Sequence, residues 1–414
     1  MADALLELGI MFATIASVGA LANRLGQSVI PFYIVAGMVL SEFVLGQVTL
    51  PVLGTAFIPE SEFITIGAEL GIVFLLFFLG LEFNLDRLLD RKRQIGVAGT
   101  IDLANFGAGF VIGWLVFGAF LPAFLIAGII YISSSAVITK SLIDLGWIAN
   151  DESEPMLGTL VYEDLFIAVY LAVASAIVLG GGGIAAAAFD IGVALAFILV
   201  LLLLVYFGTA AFARLVETDD HEFIVLRAVG VLVLIAGAAL TLGVSEAVAA
   251  FFVGMAFSST DHVHQIEELL EPLRDTFAAV FFFWIGLVTD PMLFGAVAGL
   301  IALAVIVTTP TKLVTGFLGG RAFDLNTRRS TRVALGMTTR GEFSLIIATI
   351  AITGAEAGTF DPMLAETINA FAVGYVLIMA ILGTTLMQYS APFERFAVSR
   401  LDGIGAPSEA EGAD

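Results

Sequence analysis

Long apolar stretches recur along the whole chain, separated by short polar segments. About 20 consecutive apolar residues cross the hydrocarbon core of a bilayer as a helix, and about thirteen stretches of the sequence approach that length. The predicted spans cover residues 4–23, 28–46, 63–82, 95–118, 120–144, 155–179, 185–213, 221–242, 244–259, 275–297, 299–318, 329–353 and 364–391. The pattern predicts an all-α protein of the polytopic membrane class.

Composition agrees with this pattern and excludes a soluble core. Hydrophobic residues make up 59% of the 414 positions and charged residues only 13%, against about 25% charged in soluble domains. The mean hydropathy is +1.04. The chain has no cysteine, which excludes disulfides and thiolate metal sites, and no cleavable signal peptide is evident. We expect the lipid bilayer itself to be the main surroundings of the protein.

Basic residues alternate between successive loops, which predicts the orientation. The odd-numbered loops and the segment after the last span hold Arg24, Arg87, Arg91, Lys92, Arg93, Arg214, Arg274, Arg321, Arg328, Arg329, Arg395 and Arg400. Even-numbered loops such as residues 47–62 and 354–361 contain no Lys or Arg. By the positive-inside rule the N-terminus lies outside and the C-terminus in the cytoplasm of a cell membrane.

Two adjacent acids, Glu163 and Asp164, lie inside the sixth predicted span. Ionisable side chains at membrane depth are costly and usually functional. Their own helix offers no base, so the pair needs the bundle interior, water or a bound cation. A buried carboxylate can hold either a cation or a proton, which is the chemistry of an exchanger. A structural ion pair with a distant base is the alternative.

Hydroxyl side chains interrupt the fifth predicted span. Ser133, Ser134 and Ser135 follow one another, with Thr139 one turn later. Consecutive serines weaken a helix because their hydroxyls compete for backbone groups. We expect an unwound stretch whose carbonyl and hydroxyl oxygens help to ligate a monovalent cation, with helix packing through small residues as the alternative.

The twelfth span contains a second interruption, Thr338 to Ser344. Gly341 lies between Arg340 and Glu342, which is a poor continuous membrane helix. The two charges are two residues apart and therefore point in different directions. Arg340 is predicted either to neutralise Glu163 or Asp164, or to balance carbonyls of the half-helices, and Glu342 is a second candidate charge partner of the site.

Other intramembrane polar residues carry weaker predictions. Glu69 lies in span three, and Asp102 and Asn105 share one face of span four at a spacing of three. Lys312 lies in span eleven. A polar contact between helices is the favoured interpretation for Asp102 and Asn105, and a direct transport role is the alternative for each of these residues.

The two interruptions are seven spans apart, which predicts an internal repeat. Because seven is odd, corresponding helices have opposite orientations, as in inverted-topology repeats with crossed broken helices. We expect one transmembrane domain over residues 1–395, with repeat one at about 1–180, a linker helix at about 185–213 and repeat two at about 221–392. Residues 396–414 are expected to form an acidic, disordered cytoplasmic tail.

The sequence resembles the monovalent cation:proton antiporter-2 family, in particular its Kef-type membrane domain, over nearly the whole chain. The matching segments, in family order, are Ile30 to Gly37, Glu69 to Glu82, Ser133 to Val137, Glu163-Asp164, Ala249 to Gly254, Phe281 to Leu287 and Arg340 to Phe343. The resemblance implies that Asp164 is the second member of the ion-binding pair and that the protein is a homodimer.

Three departures from the family pattern change what the resemblance implies. The pair is Glu163-Asp164 where other branches have Asn-Asp, Gln-Asp or Asp-Asp. Electrogenic sodium exchangers of similar fold carry a lysine in the tenth span, and residues 281–288 have none. Kef-type proteins often carry a C-terminal nucleotide-binding domain, so this chain resembles short members that work with a separately encoded cytosolic regulator.

Together these features predict a secondary antiporter of potassium or sodium against protons, with alternating access to Asp164. A gated cation channel needs a filter-like repeated segment, and none is seen. A membrane scaffold or sensor would not need buried acids. An intramembrane enzyme would need a set such as H-E-x-x-H, which the sequence lacks. No cofactor and no nucleic-acid partner is predicted.

Overall fold

The structure is a computed structural model of the chain. It describes residues 2–47, 49–50, 54–55, 57–82, 91–179, 192, 196, 199, 200, 220–241, 246–258, 260 and 262–402. The helices are α1 Ala2–Arg24, α2 Val29–Leu40, α3 Glu62–Glu82, α4 Lys92–Asp102, α5 Ala104–Phe117, α6 Phe120–Tyr131, α7 Ser135–Asp144, α8 Ser153–Leu179, α9 His221–Thr241, α10 Glu246–Ser258, α11 Val263–Leu287, α12 Phe294–Ala322, α13 Thr327–Gly336, α14 Glu342–Glu356, α15 Pro362–Gln388 and α16 Ser390–Ala397.

Helices account for nearly all of the described chain, which confirms the all-α prediction. The only strands in the described ranges are β1 Thr49–Leu50 and β2 Gly54–Thr55, a short antiparallel hairpin. Among the described residues, eight helical segments are long and apolar enough to cross a membrane, and two further apolar helices are shorter. The protein is therefore a multi-pass membrane protein. The count of thirteen spans stays a prediction, since predicted span seven lies almost entirely outside the described residues.

Both predicted helix interruptions are present. The fifth predicted span is divided into α6 and α7, with residues 132–134 between them in a non-helical conformation. The twelfth is divided into α13 and α14 by residues 337–341. The half-helices cross: Ser344 in α14 donates a hydrogen bond of 2.8 Å to the carbonyl of Ile129 in α6. The two breaks therefore lie next to each other in the fold.

Reciprocal glycine contacts join the two halves of the chain. A Cβ on Gly37 of α2 would lie less than 3.0 Å from the Phe283 carbonyl oxygen of α11, and one on Gly286 would meet the Ile34 carbonyl oxygen in the same way. The pair α3 and α10 repeats this arrangement. A Cβ on Gly80 of α3 would meet the Phe251 carbonyl oxygen of α10, and one on Gly254 of α10 would meet the Phe77 carbonyl oxygen of α3.

These contacts have the symmetry that the repeat predicts. Helices α2, α3, α10 and α11 are predicted spans two, three, nine and ten. A shift of seven spans relates α2 to α10 and α3 to α11, so the contact between α2 and α11 corresponds to the contact between α10 and α3. The same backbone-on-backbone contact is thus used twice, once on each side of the repeat. The close approach of the backbones requires glycine, because any side chain would force the helices apart.

One predicted boundary between spans was wrong, and one span has a division that was not predicted. Predicted span four is a single segment, Lys92–Phe117, divided at Leu103 into α4 and α5. Predicted spans ten and eleven met near residue 298, but α11 ends at Leu287 and α12 begins at Phe294. Between them the Asp290 carboxylate accepts from the Met292 N–H at 2.8 Å, which starts a short 3₁₀ turn with proline at its first position. Hydropathy alone does not show this turn, because apolar residues follow the proline directly.

The chain remains helical beyond the start of the predicted tail. The tail was expected to be disordered from residue 396, but α16 runs to Ala397 and a π-helical turn continues over Val398–Asp402. Glu394 fixes this segment, because the buried carboxylate is bonded to Arg328 and Arg332 of α13. Residues 403–414 lie outside the described part of the chain.

Candidate functional site

The first break presents serine side chains to the interior of the bundle. Helix α6 ends at Tyr131, and the Ser134 hydroxyl accepts a hydrogen bond of 3.2 Å from the Val137 N–H. Serine is a favoured N-cap because its oxygen satisfies a free N–H of the first turn. The run of serines thus ends one helix, starts the next and leaves Ser133 between them, where it is buried.

Glu163 of α8 is bound at this break. The Ser133 N–H donates to Glu163 Oε2 at 2.6 Å, and the Ser133 hydroxyl lies 3.0 Å from Oε1. The Glu163 side chain is fully buried. Hydrogen bonds from backbone N–H groups favour the ionised form of a carboxylate, whereas burial disfavours it. The break therefore supplies part of what a buried carboxylate needs, and the rest comes from a cation.

That cation is Lys312 of α12. Its Nζ donates to Glu163 Oε1 at 2.8 Å, to Asp102 Oδ2 at 2.6 Å and to Ser133 Oγ at 2.9 Å. It also lies 5.4 Å from the centre of the Tyr131 ring. The lysine is fully buried, and all three donor positions of its ammonium are used. A single positive charge thus bridges carboxylates from α4 and α8.

Asp102 is held by a polar contact of the expected kind. Its Oδ1 accepts from Asn105 Nδ2 at 3.0 Å and from the Thr315 hydroxyl at 2.9 Å, while Oδ2 faces Lys312. Thr315 is one turn after Lys312 on α12. The two carboxylates and the lysine, which we name the Lys312 cluster (Asp102, Glu163 and Lys312), therefore join α4, α8 and α12 around the first break.

Arg340 lies in the second break, where its charge is directed at backbone oxygens. Its Nε donates to the Ile130 carbonyl at 2.8 Å and its Nη1 to the Thr339 carbonyl at 2.7 Å. Longer bonds of 3.3 Å reach the carbonyls of Met337 and Thr338. Of the two predicted roles for Arg340, the geometry matches the balancing of half-helix carbonyls. Glu163 of the acidic pair is bonded by Lys312.

A short contact links the two breaks. The Ser134 hydroxyl donates to Glu342 Oε2 at 2.7 Å, so the first residue of α14 meets the cap of α7. Between the two lies Gly341, where a Cβ would collide with the Ser134 side chain. Glycine at this position is therefore required for Ser134 to reach Glu342.

Two cavities approach this region from opposite ends of the bundle. The larger has a volume of 690 Å³ and is lined by Ser135, Thr139 and Glu342. It opens among residues that lie at the same end of the bundle as α16, such as Gln27 and Thr384. The smaller, of 110 Å³, is at the other end and is lined by acids, hydroxyl side chains and apolar residues. The region of the breaks is thus accessible from one end.

The predicted site residues come together around the crossed breaks. Ser133, Ser134, Glu163, Arg340 and Glu342 are all buried there. Ser135 and Thr139 lie on the wall of the larger cavity. Asp164 is next to Glu163 on α8 and is 4% exposed. Glu69 is apart from them, on the smaller cavity. In the described part of the chain, no three His, Cys, Asp or Glu side chains form a metal cluster.

Lys312 is the residue whose importance the sequence understated. In the sequence, Lys312 is marked only as an isolated charge in an apolar span, and Asp102 is a similar isolated charge in another span. Isolated charges at membrane depth pair with one another, but the sequence does not show which pairs form across 149 and 210 residues.

Comparison with known proteins agrees with this geometry. The profile of the family described as sodium/hydrogen exchanger, transmembrane, matches residues 10–389. The chain belongs to the sodium/hydrogen exchanger family. The K(+)/H(+) antiporter subunit KhtU of Bacillus subtilis (strain 168) is 36% identical over 386 residues, which are 93% of each protein. The family consists of transporters, so the sequence-based prediction of a cation/proton antiporter is confirmed, as is the resemblance to cation:proton antiporters.

Two further relatives extend the comparison. The ammonium/H(+) antiporter subunit AmhT of Alkalihalophilus pseudofirmus is 30% identical over 341 residues, covering 80% of this chain and 82% of that protein. The sodium proton antiporter MjNhaP1 of Methanocaldococcus jannaschii has a similar structure, with a TM-score of 0.68, 16% identity, and coverage of 92% of this chain and 100% of that one. At that identity, the structural match supports the fold alone.

Proposed function

We propose that this exchanger is a secondary active antiporter of a monovalent cation against protons, with Asp164 as the carboxylate for which the two compete. The observation that carries the assignment is the fixed environment of Glu163, whose two oxygens are engaged by Ser133 and Lys312. Of two adjacent buried acids, one is thus committed to the fold of the break. We assign the exchange of ligands to Asp164, the second member of the pair, as the resemblance to the antiporter family implies.

The proposed cation shell is made of oxygens, as hard cations prefer. We assign to it Asp164, the hydroxyls of Ser134, Ser135 and Thr139, and carbonyls of the breaks. Ser135 and Thr139 line the larger cavity, which supports access for a cation. Ser133, predicted as a ligand, serves Glu163 and Lys312 in this conformation, so its contribution to the shell is indirect.

The coupling follows from competition for one carboxylate. A proton or a cation neutralises Asp164, and the neutral site is cheaper to carry through an apolar barrier than the bare charge. In our proposal, a core that contains the two broken helices and α8 moves against a scaffold built partly from predicted spans 1, 2, 8 and 9. The larger cavity at one end and the small one at the other support a state that is open towards the C-terminal side.

The main test compares Asp164→Asn with Glu163→Gln in proteoliposomes, with cation-dependent proton flux measured against pH. Asp164→Asn removes the exchangeable charge, so exchange is expected to stop while the protein still folds, because an amide costs less to bury than a carboxylate. Glu163→Gln is expected to exchange with a shifted pH optimum. Robust exchange by Asp164→Asn would overturn the proposal. A changed proton-to-cation ratio in Glu163→Gln would instead make Glu163 a second proton carrier.

For the transported cation we propose potassium, with sodium as the alternative. The support is the printed name of KhtU, a K(+)/H(+) antiporter subunit. AmhT is named for ammonium, so ammonium belongs in the same panel. The measurement is proton flux in inverted vesicles with chloride salts of the three cations, and a response to sodium alone would reject potassium.

We propose that the N-terminus is outside and the C-terminus cytoplasmic. Because the chain has no cysteine, single cysteines can be introduced and labelled without background. Met292, which is 81% exposed between α11 and α12, is expected to react with an impermeant reagent from outside. His264, at the start of α11, is expected to react only from inside. Labelling of both from the same side contradicts this topology.

Two assembly proposals accompany the function. The homodimer rests on the resemblance to the antiporter family, and mass measurement of the purified protein in detergent tests it. A separately encoded cytosolic regulator is supported by the word subunit in the names of KhtU and AmhT. Co-purification of the chain with a soluble protein that changes its flux would support the regulator.

A further inference from the structure

The C-terminal helix α16 uses one face to hold the second broken helix. Glu394 on that face is only 3% exposed. Its carboxylate accepts from Arg328 Nε at 2.6 Å, from Arg332 Nε at 2.8 Å and from the Ser390 hydroxyl at 2.9 Å. Both arginines belong to α13, the first half of the second broken helix. The acid therefore ties the end of the chain to a half-helix of the site.

Arg332 extends this link to the first broken helix. Its Nη1 bonds Glu152 at 2.5 Å, and its guanidinium lies 4.7 Å from the centre of the Trp147 ring. Glu152 is buried, and both partners lie in the segment that joins α7 to α8. Arg332 of α13 thus connects α16 with the segment that follows α7, so it links one half-helix of each broken helix.

The opposite face of α16 is aromatic and uncovered. Tyr389, Phe393 and Phe396 are 66%, 42% and 64% exposed. Their spacing of four and three residues places them on one side of a helix. Arg400 follows four residues after Phe396, and its guanidinium lies 5.9 Å from the centre of that ring. A helix with one charged, buried face and one aromatic, open face needs a second partner.

The position and charge of α16 identify that partner as the bilayer surface. The apolar span α15 ends at Gln388, and α16 begins two residues later, at Ser390. Aromatic side chains are favoured at the level of the lipid headgroups. Between residues 389 and 401 the exposed charges are Arg395 and Arg400, because Glu394 is buried, although the whole chain carries a net charge of -21. Basic residues next to a span attract anionic lipid.

We propose that α16 lies along the bilayer on its aromatic face and holds α13 through Glu394, so that contact of α16 with anionic lipid adjusts the broken helices and the rate of exchange. The consequence is a lipid-dependent exchanger whose sensor lies outside the ion site. Exchange should be faster in bilayers that contain phosphatidylglycerol than in neutral ones.

The link itself stays charged at neutral pH. Burial alone would raise the pKa of Glu394, but hydrogen bonds from Arg332, Arg328 and Ser390 outweigh burial and hold the pKa below its ordinary value. A carboxyl group with a lowered pKa remains ionised above that pKa. The ion pairs between α16 and α13 are therefore expected to persist over the cytosolic pH range. In our proposal, the lipid composition and not the pH changes the effect of α16 on the exchange rate.

The first experiment locates the aromatic face. Nitroxide labels are placed on single cysteines at Phe396 and at Ala391, an exposed position five residues earlier and about 140° away around a helix. In vesicles, the label at 396 is expected to collide more with oxygen, which partitions into lipid, than with a nickel reagent that stays in water. The label at 391 is expected to collide more with the nickel reagent. Water-type collisions at both positions, or immobilisation at 396 only after cytosolic protein is added, would overturn the proposal.

The second experiment measures the consequence. In wild type, cation-dependent proton flux is expected to rise at least about threefold as phosphatidylglycerol replaces neutral lipid. The double variant Phe393→Ser/Phe396→Ser changes only exposed side chains and should lose this dependence. Glu394→Gln should keep the label at 396 in lipid while the flux becomes independent of lipid. An unchanged lipid response in the double variant would overturn the proposal, whereas loss of all exchange in wild type would count against the proposed function instead.

Discussion

The two breaks occupy corresponding positions in the repeats but are neutralised in different ways. The first, residues 132–134, is surrounded by charged side chains from α4, α8 and α12. The second, residues 337–341, contains its own charge, and Arg340 directs that charge at carbonyls of both broken helices. One break is completed by distant side chains and the other by main-chain oxygens.

The two breaks therefore differ in how their contacts depend on protonation. Carbonyl oxygens do not titrate, so the contacts of Arg340 are the same in every protonation state. The Lys312 cluster has two carboxylates for one ammonium, and a carboxylate can give up its partner or take a proton. Topological symmetry therefore coexists with chemical asymmetry, and we propose that ion exchange takes place at Asp164, beside the first break.

The largest effect is expected at Arg340. In Arg340→Met, carbonyls at the ends of α6 and α13 lose their donors in a dry interior. Hydrogen bonds to charged groups contribute about 1.5–3 kcal/mol each, so the free energy of unfolding should fall by about 5 kcal/mol. Titration with SDS in mixed micelles, monitored by loss of helix, measures the change.

Arg340→Lys is the matched control, because it keeps the charge but lacks the fork that reaches Ile130 and Thr339 together. It is expected to recover only a minor part of the lost stability. If Arg340→Met were as stable as wild type, Arg340 would not support the breaks, and the contrast between them would disappear.

A smaller loss is expected at Lys312. In Lys312→Met, two buried carboxylates face each other without a cation, and removal of one partner from a buried ion pair costs about 3–5 kcal/mol. The same SDS titration measures the loss, and exchange should fall with it.

Neutralising the acids distinguishes charge from packing. Combining Lys312→Met with Asp102→Asn and Glu163→Gln should recover much of the stability, since no uncompensated charge remains. A triple variant as unstable as the single one would mean that the lysine acts through its shape and not its charge.

Ser134 and Ser344 test the contact between the breaks at a finer scale. Ser134 caps α7 and bonds Glu342, whereas Ser344 bonds only a carbonyl in α6. Each alanine variant should lose about 1 kcal/mol of stability. Only Ser134→Ala should also raise the KM for the cation, measured from flux at several concentrations. Equal KM values in the two variants would remove Ser134 from the proposed cation shell.

The smallest effect is expected far from both breaks. Arg91 and Glu154 form an ion pair of 2.8 Å with side chains about half exposed. Exposed pairs contribute about 0–1 kcal/mol, so Glu154→Gln should leave both stability and exchange near wild type. A loss comparable to that of Lys312→Met would show that removal of an exposed charge also destabilises the protein. The losses at Lys312 and Arg340 could then not be attributed to the breaks.

The elements and the breaks could be predicted from sequence because their signals are local. Three serines in one span and glycine between opposite charges in another conflict with a continuous helix wherever the chain folds. The repeat followed from the spacing of these two signals. The acidic pair was found because carboxylates in an apolar span are rare.

The partners of these charges could not be predicted in the same way. Glu163 had several bases to choose from, and the sequence left pairing with Arg340 as one of two alternatives for that arginine. Which base approaches depends on how α4, α8 and α12 pack together, and no local pattern encodes that. The end of α11 was missed for a different reason, since the turn at Asp290 is followed by residues as apolar as a helix interior.

The reciprocal glycine contacts between α2 and α11 and between α3 and α10 have a consequence for genetics. At Gly37, Gly286, Gly80 and Gly254 the atom that a new Cβ would strike is a main-chain carbonyl oxygen. Every residue has that oxygen, so no substitution on the facing helix makes room for the added carbon. A selection for restored growth, started from alanine at any of these positions, should therefore return the original codon or changes away from the contact. Compensating substitutions at the facing residue itself should be absent.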